Sequence, residues 1–154
     1  MTRVLIAGVG NLFLGDDGFG VAVAQQLAAA PPPGTKVEDF GIRAIHLAFE
    51  LLEPHDLFIV ADCMARGGDP GTLYVVEPDL DVPGGVADAH AMNLPVVFAA
   101  VRDLGGRMPR TLVVGCEPAQ IEPGIGLSTT VERAVPAAIE LIRELLTHHH
   151  EATP

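Results

Sequence analysis

The sequence predicts a single α/β domain of three layers, a twisted, mostly parallel sheet with helices on both faces. Three observations predict it. Short apolar runs of strand type alternate along the chain with segments of helical periodicity. Residues 56–62, DLFIVAD, are almost continuously apolar, as a strand buried on both faces of a sheet must be. At 154 residues the chain has the ordinary size of one domain and needs no second core.

Residues 4–7 form the first strand, and Gly8, Gly10 and Asn11 turn it into a loop that carries Asp16 and Asp17 before a helical pattern sets in at Gly18. Residues 19–30 (FGVAVAQQLAAA) put Val21, Ala24, Leu27 and Ala28 on one helical face, and the PPPG stretch ends that helix. A second strand near 36–40 runs into Asp39 and Gly41. Residues 45–52 are an amphipathic helix, and the third strand, 56–62, closes on Asp62. After a loop at 67–71, a strand at 72–77 precedes a Pro/Gly/Asp-rich surface segment at 78–85. A helical region then begins at Asp88 or Ala89, is broken or started by Pro95, and runs to about Leu104. Residues 111–115 (TLVVG) are the last strand. Thr129-x-x-Glu132 reads as a capping box that opens the final helix, to about Thr147, with Pro136 expected to kink or shorten it. The domain therefore spans 1–147, and the His-rich end 148–154 (HHHEATP) is expected to be a disordered tail rather than a chelating tract or a tag.

The net charge of -11 argues against nucleic acid or an anionic membrane, each of which calls for a basic patch. It suits a cationic or metal-bearing target. No apolar run approaches the roughly 20 residues of a membrane span, and the first one breaks at glycine too early for an export signal, so a cytoplasmic protein is expected. Cys63 and Cys116 each fall at the end of an apolar strand and are expected to be reduced thiols. Small size and an acidic surface lean toward a monomer.

The chemistry gathers where strands hand over to helices, the usual ligand edge of an open α/β sheet. Asp16 and Asp17 there either satisfy a helix start or belong to a metal or catalytic site. Gly8-x-Gly10 invites a dinucleotide reading, but the position that needs a third small residue holds Phe13, and the two acids would repel a pyrophosphate. If the first and third strands are neighbours, their carboxyl ends bring Asp17 and Asp62 over one crevice. With His90, near a helix start, they make a set of three ligands with open positions for a divalent ion. Each also has a plainer reading, since an acid can simply end a strand and a loop histidine is commonly solvated. Cys63 beside Asp62 could be a thiol nucleophile paired with His90, though a buried structural cysteine is the commoner case. Asp39 and Gly41 either shape a substrate cleft or serve a turn, and Glu117 and Pro118 fit loop geometry.

Gly8-Val9-Gly10-Asn11 with Gly15-Asp16-Asp17-Gly18-x-Gly20 resembles the N-terminal signature of the nickel-iron hydrogenase maturation proteases. The resemblance continues in order through Asp39-x-Gly41, Val60-Ala61-Asp62, His90, Gly115-Cys116-Glu117-Pro118 and Glu122-Pro123-x-x-Gly126-Leu127-Ser128. It implies an endopeptidase that removes a short C-terminal extension from a hydrogenase large-subunit precursor once nickel is in place, built on a twisted sheet between helices. It also implies that Asp17, Asp62 and His90 are the metal-binding residues, with Asp where the family accepts Glu or Asp at the first position.

Two schemes stay open. In one, the triad holds a resident divalent ion such as zinc that activates water, with Asp16 as base or orienter. In the other, the triad docks onto nickel carried by the substrate, so that recognition of the metal licenses cleavage. The second is favoured because it makes cleavage wait for nickel. A different class of function, a non-catalytic metal- or nucleotide-binding module on the same sheet, is the alternative.

Overall fold

The computed structural model describes residues 3–80 and 93–152. The elements run β1 (Val4–Val9), α1 (Phe19–Ala28), β2 (Thr35–Gly41), α2 (Ala44–Leu51), β3 (Leu57–Cys63), β4 (Leu73–Val76), α3 (Leu94–Asp103), β5 (Arg110–Cys116) and α4 (Thr129–Ala152), with a 3-10 turn over Gly15–Gly18. The five strands lie in the order β2-β1-β3-β5-β4, parallel except for β4, which pairs antiparallel with β5 at the edge.

Strand alternation splits the apolar residues between two cores. Val4 and Ile6 of β1, Leu57, Ile59 and Ala61 of β3, and Leu112, Val114 and Cys116 of β5 face α1 and α4. Leu5, Ala7, Val9, Phe58, Val60 and Val113 face the other way, against α2 and α3. Because both faces are covered, β1 and β3 are apolar at consecutive positions, which is why residues 56–62 read so clearly. The expected three-layer arrangement is the one observed.

The differences lie at the helices. Helix α1 buries Phe19, Val23 and Leu27 as well as Val21 and Ala24, whereas Ala28 is exposed and the helix ends there. Glycine at 20 draws the start of α1 so close to the sheet that the buried stripe begins earlier than the periodicity implies. Pro95 starts α3 rather than breaking it: Asn93 Oδ1 accepts the Val96 N–H at 3.3 Å as a cap, and the onset placed at Asp88 or Ala89 lies outside the described residues.

Helix α4 departs furthest from expectation. Its cap is Ser128, not Thr129, with the Ser128 Oγ receiving the Val131 N–H at 3.4 Å. It runs on through Pro136, whose ring is on the exposed side, because Val131, Ala134, Val135, Ala138, Ile142 and Leu146 keep one unbroken apolar face on the sheet. Nor does it stop at Thr147. His148, His149 and His150 continue the helix to Ala152 instead of forming a disordered tail, and His149 and His150 sit in its last turn, where positive charge suits the helix dipole. Among the described residues no helix is long and apolar enough to cross a membrane.

Candidate functional site

The chain leaves β1 for β2, then returns past β1 to β3, with α1 on one face of the sheet and α2 on the other. Between β1 and β3 the winding direction therefore reverses. The loops leaving these two strands part toward opposite faces, and a crevice opens beyond their carboxyl ends. Asp17 lies in the loop after β1, and Asp62 is the penultimate residue of β3. The two carboxylates are brought to one edge, as the adjacency of the first and third strands requires.

Asp17 is held there by a loop with little freedom. Gly10 takes φ 134°, and a Cβ on it would lie 2.0 Å from the Asp17 carbonyl oxygen, so only glycine fits. Asn11 then makes the turn, its Oδ1 accepting the Phe13 N–H at 2.9 Å and its carbonyl the Leu14 N–H at 3.1 Å. The Asn11 N–H itself donates to Asp17 Oδ2 at 2.7 Å. That bond spends on a carboxylate a loop donor that a phosphate would need, which argues against the nucleotide-binding reading.

Asp62 is half-buried. Burial is the larger of the influences that raise its pKa well above the ordinary carboxylate range, and the Asp17 charge adds to it, against a smaller lowering by the Cys63 N–H. Two acids crowded together in this way form a hard-oxygen donor set that a divalent cation would relieve. The remaining predicted ligand, His90, lies outside the described residues, and among the described residues no three His, Cys, Asp or Glu side chains are grouped to hold a metal ion.

Asp16 does something different from its neighbour. It is fully buried and accepts hydrogen bonds from Ala119 N–H (2.9 Å), Gln120 N–H (2.9 Å), Ser128 N–H (2.7 Å) and Ser128 Oγ–H (2.9 Å). Burial, the largest single influence, raises its pKa, but these donors together outweigh it and the net shift is downward. With both oxygens engaged, Asp16 acts as a strut that fixes the 3-10 turn carrying Asp17, an orienting role and not that of a proton-accepting base. The same serine that caps α4 thus anchors the site loop. Glu117 plays the matching part for the loop after β3: its Oε1 accepts from Arg66 N–H, Gly68 N–H and Tyr74 Oη–H at 2.7–2.9 Å. Sequence reasoning left Glu117 as loop geometry. Its signal, an acid directly after an apolar strand, is too common to single out a three-donor anchor.

Cys63 and Cys116 are free thiols, paired in register at the ends of β3 and β5. Burial first, then the nearby Asp17, push the Cys63 thiol far up, and burial followed by Asp16 lifts Cys116 to about 11. A thiol held protonated in this way is a poor nucleophile.

Asp39 and Gly41 reach the same edge from β2. They line a cavity of about 250 Å³ together with Gly10, Leu12, Phe13 and Ile42. Gly41 has φ 56° and its carbonyl accepts the Gly10 N–H at 3.0 Å, tying the end of β2 to the loop that bears Asp17. Arg43 braces this corner: its Nε donates to the Phe40 carbonyl at 3.1 Å, its Nη2 to the Asp39 carbonyl, and its guanidinium lies 5.9 Å from the centre of the Phe40 ring.

A family model described as hydrogenase maturation protease matches residues 21–145. Among curated proteins, the hydrogenase expression/formation protein HupD of Rhizobium leguminosarum bv. viciae is 32% identical over 145 residues, covering 90% of this chain and 71% of that protein. The hydrogenase 2 maturation protease of Escherichia coli K12 is 29% identical, covering 91% and 88%. Among solved structures, the hydrogenase maturating endopeptidase HybD from E. coli superposes with a TM-score of 0.81 at 27% identity, over 96% of this chain and 94% of that one. The maturation protease HycI from Thermococcus kodakarensis KOD1 gives 0.71 at 26%, over 95% and 93%.

Proposed function

Since this chain belongs to the hydrogenase maturation protease family and is an endopeptidase of that kind, we propose that it cuts a C-terminal extension from the nickel-loaded large-subunit precursor of a nickel-iron hydrogenase. Asp17 and Asp62 contact the nickel that the substrate carries, and His90, through the family resemblance, is their partner. The observation that carries this reading is the convergence of two carboxylates at the β1–β3 crevice, close enough for one to raise the pKa of the other. Such a pair disfavours an anion and welcomes a cation.

Geometry then assigns the other residues. The cavity bounded by Asp39, Gly41, Leu12 and Phe13 has Gly10 and Asn11 of the loop that leads to Asp17 in its wall, and it would hold the chain that leads to the scissile bond. Asp16 keeps the Asp17 loop from moving as substrate arrives, and Glu117 does so for the loop beyond Asp62. Burial and the neighbouring acids keep Cys63 as a thiol, and the reading takes water as the nucleophile.

The test is incubation of the protein with nickel-loaded and nickel-free large-subunit precursor from the same source, read by intact mass, beside Asp17→Ala, Asp62→Ala and His90→Ala. A C-terminal peptide lost only from the loaded precursor, and by none of the variants, is the expected result. Cleavage of the nickel-free precursor at the full rate would overturn licensing by nickel.

A further inference from the structure

Helix α2 has a second apolar face. Leu47, Ala48 and Leu51 satisfy the core, yet Ile45 is 62% exposed and Phe49 54% exposed, one helical turn apart on the outer side. Just before the helix Ile42 is 48% exposed, and across the cleft Phe13 is 64% exposed. These are not scattered residues. Ile42 and Arg43 line both the cavity beside Asp17 and a second one, of about 460 Å³, formed with Ala44, Ile45, His46 and Phe49. The two cavities therefore share a wall, and exposed apolar side chains run from the cleft onto the outer side of α2.

We propose that this strip docks the folded body of the protein substrate, while the cleft beside Asp17 takes only the extended segment to be cut; the inference rests on the endopeptidase reading above. Three observations select that occupant. The strip is continuous with the cleft, because Ile42 and Arg43 belong to the walls of both cavities, so a chain lying in the cleft has the strip beside it. A second copy of this chain seated there would cover the mouth of the cleft, and each copy carries a net charge of -11. The residues that line the second cavity, moreover, include Arg43 and His46 and no acid, and Glu50, the next residue after Phe49, is paired with Lys36 and His55, although acidic residues outnumber basic ones 20 to 9 in the chain. A partner that meets this spot presents aliphatic or aromatic side chains rimmed by carboxylates. Exposed contiguous apolar surface beside a site is the usual mark of a protein-binding face, and its large side chains carry most of the binding energy. Arg43 fits the scheme as well. Tied back to the Asp39 and Phe40 carbonyls, it holds Ile42 in place at the junction of the two cavities.

The experiment compares wild type with Ile45→Asp, Phe49→Asp and the double variant, none of which touches Asp17, Asp62 or the core. Binding to the nickel-loaded precursor is read by interferometry, cleavage by intact mass, and integrity by thermal melting and sedimentation. Expected are unchanged melting temperatures and sedimentation, binding weaker by roughly tenfold in each single variant and more in the double, and a raised KM with kcat preserved at saturating precursor. Equal binding and cleavage by all variants would overturn the docking face and leave the endopeptidase reading intact. Wild type that binds the precursor without cutting it, with binding lost in the variants, would do the reverse. A dimer in wild type that the variants dissociate would assign the strip to a second copy and overturn the proposal.

Discussion

The carboxylates of Asp17 and Asp62 reach the same crevice from loop and strand, and the charge of the first helps to hold the second above its ordinary pKa. Asp62 is therefore a residue the fold would be better without. An acid whose folded pKa exceeds its unfolded value of 3.8 holds its proton more tightly when folded, so stability falls as the pH climbs from that value to the folded one and stays low above it. Asp62→Asn removes the charge and keeps the shape. At neutral pH it should raise the melting temperature by ~2–4 °C, equivalent to about 1 kcal/mol, while abolishing cleavage. A lower melting temperature would sink this account of the site.

Asp16 has the opposite sign. Its pKa is depressed, so its contribution is present above the unfolded value of 3.8 and is lost as the pH falls through the folded one. Asp16→Ala strands buried donors at Ala119, Gln120 and Ser128 and should cost about 3 kcal/mol in urea unfolding at pH 7. The gap between variant and wild type should narrow in acid. A constant gap down to pH 2 would argue against a carboxylate anchor.

Gly20 and Gly18 lie two residues apart yet should respond differently to alanine. A Cβ at 20 would stand 2.1 Å from the Ala61 carbonyl oxygen and 2.4 Å from that of Val9, backbone atoms of both central strands. At 18 the nearest neighbour is Leu12 Cα at 3.4 Å. Gly20→Ala should cost more than about 3 kcal/mol or prevent folding, and Gly18→Ala less than about 1, as measured by chemical denaturation.

Cys63→Ala should keep most of the cleavage activity. Burial and the neighbouring carboxylates of Asp17, Asp62 and Asp16 hold that thiol protonated, so it supplies no thiolate to attack a peptide bond. Complete loss of activity in a variant that melts like wild type would reinstate the cysteine as nucleophile.

How much of this was legible beforehand depends on the range of the interactions. The sheet was legible because burial of β1 and β3 on both faces writes itself into consecutive apolar residues. So was the meeting of Asp17 with Asp62, which needs only that the first and third strands pair. The cap of α4 was not. Thr129-x-x-Glu132 matches the local capping pattern, but Ser128 is recruited by Asp16 from 112 residues away, and no local pattern encodes that partner. The length of α4 escaped for a related reason: a polar HHHE run looks like a tail until the sheet beneath Ile142 and Leu146 carries the helix past it. The outer face of α2 was hidden by its own composition, because an amphipathic pattern over 45–52 does not tell which of its apolar residues the core takes and which, like Ile45 and Phe49, it leaves exposed.

The bonds to Asp16 also set an order of events during synthesis. Its donors lie 103 to 112 positions downstream, so a nascent chain that has not yet delivered Ala119, Gln120 and Ser128 has no means of locking the loop that aims Asp17. The first sixty-odd residues already contain both acids of the crevice, but the anchor of the Asp17 loop waits for residues 119–128. A chain that stops short of Ala119 therefore holds both acids but none of the four bonds that fix the loop carrying Asp17.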